Sequence, residues 1–100
     1  MMQSQKLFKL IEQEANFLLI DIRENYEYSH QNIGGKNIPL GEILTRLDEI
    51  PKNIPVIIHC QSGARGKKLV AFLESMDYNN IENLEGGIEA YFEIKQQHNA

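Results

Sequence analysis

The chain has 100 residues, 42% of them hydrophobic, and a formal net charge of −4. That length accommodates one domain, residues 1–100, with one core. The acidic balance argues against nucleic acid and anionic membrane surfaces as partners, and no apolar run approaches the length of a membrane span. The single cysteine rules out an internal disulfide and fits a reducing compartment, so a cytoplasmic location is expected. It also leaves no internal resolving thiol, so any chemistry begun on it must be passed to another molecule. Met1 to Lys6 lead into amphipathic residues rather than a continuous apolar stretch, so no signal peptide is expected.

In chain order, Ser4 is placed to cap a first helix. Leu7, Leu10 and Ile11 form its apolar stripe to about Glu14, and Ala15-Asn16 break it. Phe17 to Ile22 is a nearly continuous apolar run, the signature of a strand covered on both faces, interrupted by Asp21. Asn25 to Ser29 predict a short helical turn and Lys36 to Ile38 a short strand ended by Pro39. Leu40, Ile43, Leu44 and Leu47 predict one helix over Leu40 to Ile50, and Pro51 to Pro55 is a turn cluster. Val56-Ile57-Ile58-His59 is a β-branched buried strand, followed by a helix to about Met76. Ile81 to Leu84 is a last strand. Gly86-Gly87 marks a turn or close approach that a Cβ would obstruct. Ile88 to Gln96 is a last helix, and His98 to Ala100 a frayed tail. Alternating helices and apolar strands mean an α/β domain with a mainly parallel sheet.

The stretch that carries chemistry is Cys60-Gln61-Ser62-Gly63-Ala64-Arg65-Gly66, between the central strand and the following helix. Strand, tight loop and helix start aim a row of backbone N–H groups at one point, with Cys60 at its edge. A free cysteine, with a pKa of about 8.5, is mostly a thiol at neutral pH. The helix N-terminus, the amides and Arg65 all favour the thiolate, which is the nucleophile. The alternative is an inert core cysteine; the polar Gln-Ser-Gly after it and the arginine argue against that. His59 precedes the loop in the strand and reads as a packed or hydrogen-bonded residue rather than a base. Arg23, in the loop after the first strand, reads as the partner of Asp21 or Glu27.

Cys60-Gln61-Ser62-Gly63-Ala64-Arg65 resembles the active-site loop of rhodanese-like sulfurtransferase domains, whose pattern is roughly Cys-Arg-Ser-Gly-x-Arg-Ser/Thr. Leu19-Ile20-Asp21-Ile22-Arg23-Glu24 resembles the family's Asp-Val-Arg-Glu segment, and Leu84-Glu85-Gly86-Gly87-Ile88-Glu89-Ala90-Tyr91 its Leu-x-Gly-Gly-Ile-x-x-Trp segment. The three stand in the family's order, and the likeness covers nearly the whole chain. It implies a four- or five-stranded, mainly parallel sheet with helices on both faces, and Asp21 as a structural support at the active-site end. It further implies that Cys60 takes a sulfane sulfur from thiosulfate or a protein persulfide. The persulfide formed is then passed to a thiol or cyanide acceptor. Gln61, Ser62, Gly63, Ala64, Arg65 and Gly66 would hold the substrate and the persulfide anion, with no metal or organic cofactor.

The sequence departs from the pattern at Gln61, where arginine is frequent, and at Gly66, where serine or threonine is frequent. Both departures should weaken thiosulfate binding without removing the nucleophile. Gln31 and Asn32 stand where the family has Gly-His. A second reading is a low-turnover persulfide carrier or interaction module. A third is a phosphatase or arsenate reductase, because His59-Cys60 before an arginine is similar to the protein tyrosine phosphatase loop. Those loops place five residues between Cys and Arg, whereas this one places four. No aspartate general acid, a group worth a factor of about 10²–10⁴, can be assigned for that chemistry.

Overall fold

A computed structural model describes residues 1–99. Four parallel strands form one sheet in the order β2-β1-β3-β4. They are β1 (Leu18–Asp21), β2 (Lys36–Asn37), β3 (Val56–His59) and β4 (Ile81–Asn83). The four α-helices are α1 (Ser4–Glu12), α2 (Asn25–His30), α3 (Ala64–Glu74) and α4 (Gly87–Asn99). The chain winds outward from β1 to β2, then returns past β1 to β3 and β4. The direction of winding therefore reverses between β1 and β3, and in parallel sheets the functional crevice lies beyond the carboxyl ends of the strands at such a point.

β1 and β3 are mostly apolar because both faces of the sheet are covered there. On one face Ile20, Ile58 and Ile81 pack with Ile43, Ile50, Leu69, Leu73 and Tyr78. On the other, Leu19 and Ile57 pack with Met2, Leu7, Leu84 and Tyr91, which brings α1 and α4 together. Each fully buried Leu or Ile contributes about 1.5–3 kcal/mol relative to exposure, so these two layers are the main source of stability.

Three local expectations are corrected. Ser4 is not the cap of α1: Gln3 holds that place, without a side-chain cap, and the Ser4 hydroxyl is buried without a hydrogen-bond partner. Residues 40–50 do not form one α-helix but two 3₁₀ segments, Leu40–Thr45 and Leu47–Glu49. A 3₁₀ turn rises about 2.0 Å per residue against 1.5 Å in an α-helix, so it spans more distance with the same residues. The segment is tied at one end by the Leu40 N–H on Ile22 O and near the other by the Tyr78 hydroxyl on the Leu47 and Ile50 carbonyls. The Thr45 hydroxyl, bonded back to Glu42 O, also competes with α-helical bonding. Leu44, read as part of the apolar stripe, is 63% exposed.

The third correction is at the carboxyl end. α4 continues to Asn99, and His98 stacks on Phe8 with ring centroids 4.4 Å apart; Ala100, the end of the expected tail, lies outside the described residues. At the amino end, for which the sequence predicts no strand, Met2 extends the sheet. Its N–H bonds Asn83 O and its carbonyl accepts from Glu85 N–H, a single parallel bridge beside β4.

Candidate active site

β3 is buried at all four positions and delivers Cys60 to the carboxyl edge of the sheet. Gly63 then takes φ 103° and serves as the N-cap of α3, a left-handed conformation that glycine adopts without steric cost. In this geometry the Gly63 N–H donates to Cys60 Sγ at 3.1 Å. The loop is braced from outside by the start of α4: Ile88 N–H bonds Cys60 O at 2.9 Å and Glu89 N–H bonds Gln61 O at 3.3 Å. Two of the bonds that brace the Cys60 loop are thus main-chain bonds.

The close approach expected at Gly86-Gly87 is the contact that makes this bracing possible. Gly87 has φ 65°, and a Cβ there would lie 2.6 Å from Gln61 C and 2.7 Å from Cys60 O. These are backbone atoms that cannot swing away. Gly87→Ala is therefore expected to destabilise the fold by about 2 kcal/mol or more, since the left-handed conformation alone costs a non-glycine residue roughly 1–2 kcal/mol. Urea unfolding of the variant beside wild type measures it.

The substrate-binding residues read from the loop fall in different places. Gly63 and Gly66 are buried, Ser62 and Ala64 are exposed, and Arg65 is half-buried. The Gln61 side chain turns outward and donates to Glu89 Oε2 at 3.0 Å. Arg65 makes no ion pair among the described residues. Cys60 itself is buried, 1% exposed, and packs with the apolar layer under α3. The polar run after it therefore does not bring it to the surface, because the loop folds back over the thiol.

At the same edge Asp21 and Arg23 form a buried pair. Arg23 Nη2 donates to Asp21 Oδ2 at 2.8 Å and to Gln31 O at 2.6 Å, and Arg23 Nε lies 3.1 Å from Asp21 Oδ1. The Arg23 main-chain N–H also donates to Asp21 Oδ1, at 2.9 Å. Asp21 is therefore a support that holds the loop after β1 and the segment at Gln31, and Arg23 is its partner.

His59 stands beside Asp21 in the β1–β3 register, with Nε2 3.9 Å from Asp21 Oδ2, and neither ring nitrogen has a hydrogen-bond partner. It is packed rather than hydrogen-bonded. Burial pushes its pKa down to about 4, against the opposite pull of Asp21. A depressed folded-state pKa means that the unfolded chain takes up the proton first. Stability is then full above about pH 6.5 and falls between there and pH 4. Urea midpoints at neutral and mildly acid pH should show this loss in wild type and a smaller one in His59→Leu.

Two concavities flank these elements. A cleft of about 310 Å³ lined by Arg23, Tyr26, Glu27, His30, Gln31 and Gln61 opens beside the Cys60 loop. A larger groove of about 980 Å³ includes Phe17, Pro55 and Asn80, which precede β1, β3 and β4, and none of residues 60–66. The smaller cleft is the one beside the Cys60 loop. No helix among the described residues is long and apolar enough to cross a membrane.

Residues 4–94 match the family model described as a rhodanese-like domain. The chain belongs to the rhodanese-like family. A protein of Allochromatium vinosum named sulfurtransferase is 36% identical over 89 residues, spanning 88% of this chain and 83% of its own. A tRNA uridine(34) hydroxylase of Bdellovibrio bacteriovorus is 33% identical over 89 residues, but this chain spans only 25% of its length. Among solved structures, a rhodanese-like domain protein from Staphylococcus aureus superposes with a TM-score of 0.81 at 26% identity, over 90% of this chain and 88% of that one. The parallel α/β sheet with helices on both faces is the rhodanese-like fold, here with four strands.

Asn83 was not among the site residues read from the sequence. It is buried, and its carboxamide Nδ2 donates to Gly63 O at 3.0 Å. The signal was in the strand pattern: in Ile81-Glu82-Asn83 the alternation puts Asn83 on the same inward face as Ile81, where a polar side chain needs a partner.

Proposed function

We propose that this chain is a one-domain sulfurtransferase that carries sulfane sulfur on Cys60. The observation that carries the reading is the Gly63 N–H on Cys60 Sγ at 3.1 Å, at the mouth of a helix N-terminus. A donor aimed at sulfur favours the thiolate and, after reaction, the persulfide. Likeness to a relative named sulfurtransferase supports it.

In the proposed reaction the thiolate attacks the outer sulfur of thiosulfate. A new S–S bond forms on Cys60, the donor's S–S bond breaks, and sulfite leaves with the electron pair. A thiol or cyanide then attacks the terminal sulfur and the Cys60 thiolate is restored. A protein persulfide serves in place of thiosulfate by the same exchange. The main-chain amides from Gln61 to Gly66 supply the stabilising dipoles, and Arg65 supplies positive charge for the donor's anionic end. The Gln61 side chain, held by Glu89, contributes its backbone rather than a charge. Burial of the thiol requires a donor whose reacting sulfur is slender enough to pass the loop.

Intact mass of the protein after incubation with thiosulfate tests the reading. The expected product is a species heavier by one sulfur atom, discharged by cyanide with release of thiocyanate. If no adduct forms with thiosulfate or with a persulfidated protein, the reading fails. Loading without discharge to free acceptors identifies a dedicated carrier instead.

A further inference from the structure

The structure points to a positioning role for the side chain at the end of β4. We infer that Asn83 sets the geometry of the Cys60 loop, and that position 66 is glycine so that the Asn83 carboxamide can occupy the space of a side chain there. The inference rests on Cys60 being the reacting thiol.

Gly63 O accepts two hydrogen bonds, one from Lys67 N–H at 3.1 Å and one from Asn83 Nδ2 at 3.0 Å. Both lone pairs of that carbonyl are thereby used. Together they fix the plane on the far side of the Gly63 φ rotation, and with φ at 103° the N–H on the near side faces Cys60 Sγ. The first bond is ordinary helical bonding. The second comes from a residue 20 positions away in sequence, and it ties the loop to the sheet.

The other end of the carboxamide explains position 66. Asn83 is 4% exposed, and its Oδ1 is buried without a hydrogen-bond partner. The reversed amide would set Oδ1 against Gly63 O, so the orientation is dictated by the Gly63 bond. A Cβ built on Gly66 would fall on Asn83 Oδ1 and lie 2.9 Å from Asn83 Cγ. The Gly66 Cα–H in that direction therefore points at the oxygen, a weak contact only glycine can offer. A buried acceptor without a full partner is unfavourable to keep; it is kept here because the same group's donor end holds the loop.

The test is the pH titration of the Cys60 thiolate by its ultraviolet absorbance, with the Cys60→Ala spectrum subtracted. The titratable and charged groups on the elements around Cys60 include Arg65, Lys67 and Lys68 on α3, His59, Asp21 and Arg23 at the strand ends, Glu89 on α4 and Tyr78 in the same apolar layer, and they are the same in every variant. In Asn83→Ala, loss of the bond on Gly63 O should lower the thiolate fraction about threefold or more, moving the midpoint up by about half a pH unit. Gly66→Ser should move it in the same direction by displacing Asn83. In Asn83→Ala/Gly66→Ser the serine hydroxyl fits the vacated space and can donate to the carbonyl three residues before it. The double variant should therefore recover most of the wild-type midpoint, a strong non-additivity.

An unmoved midpoint in Asn83→Ala, or a double variant shifted by the sum of the singles, overturns the inference. If Asn83→Ala does not fold, the comparison of Gly66→Ser with the double variant decides in the same way. The titration needs no sulfur donor. A shifted midpoint without sulfur loading therefore defeats the proposed function alone, and loading with an unshifted midpoint defeats this inference alone.

Discussion

Replacing Cys60 with alanine is expected to abolish sulfur loading and transfer while leaving the fold in place. The bonds that brace the loop from Ile88 N–H, Glu89 N–H and Asn83 Nδ2 end on main-chain carbonyls and survive the change. Only the sulfur and its bond from Gly63 N–H are lost. Stability should fall by about 1 kcal/mol, the ordinary scale for a small buried truncation. Transfer should fall by at least about a thousandfold, since removal of a covalent nucleophile leaves no parallel route. Thiocyanate formation and intact mass read the loss of transfer, and far-ultraviolet circular dichroism with urea unfolding reads the stability. Transfer that persists in this variant would mean that the sulfur is carried elsewhere.

The largest stability effect is expected at a residue that does not touch the thiol. Arg23→Ala leaves Asp21 as a fully buried carboxylate without its ion-pair partner and removes the donor to Gln31 O. Removing one member of a buried pair typically costs about 3–5 kcal/mol, because the remaining charge keeps its desolvation penalty and loses its compensation. Against a total of about 5–15 kcal/mol for a domain of this size, that is enough to unfold a marginal protein. The double variant Asp21→Asn/Arg23→Ala should be less destabilised than the sum of its singles, since the stranded charge is gone. Urea midpoints of the four proteins give the coupling directly. Additive singles would show that the charges do not depend on each other.

The parts of this protein that were legible in its sequence are those where one residue type has one physical use. A β-branched run before Cys60 is a buried strand, and adjacent glycines before a helix are a backbone contact. The arginine in the loop after β1 reads as the partner of Asp21 or Glu27, and the structure selects Asp21. Where several outcomes share one pattern, the sequence was silent. The stripe Leu40, Ile43, Leu44, Leu47 suits an α-helix, but the anchoring of its ends at Ile22 and Tyr78 selects the longer 3₁₀ path. The depth of Cys60 depends on the loop folding back, which no local pattern encodes. Asn83 becomes part of the site only through contacts with Gly63 and Gly66, both far from it in the chain.

That distance has a consequence for how the protein is made. The loop that cradles the thiol is complete only with Asn83 and with the main chain from Gly86 to Glu89. Synthesis runs from the amino end, so a nascent chain exposes Cys60 well before those residues leave the ribosome. Throughout that interval the loop lacks the bonds from Asn83, Ile88 and Glu89 that hold it. On the proposed function, sulfur loading is expected only once the last strand and helix dock, and a chain stopped before Asn83 should keep the thiol without loading it.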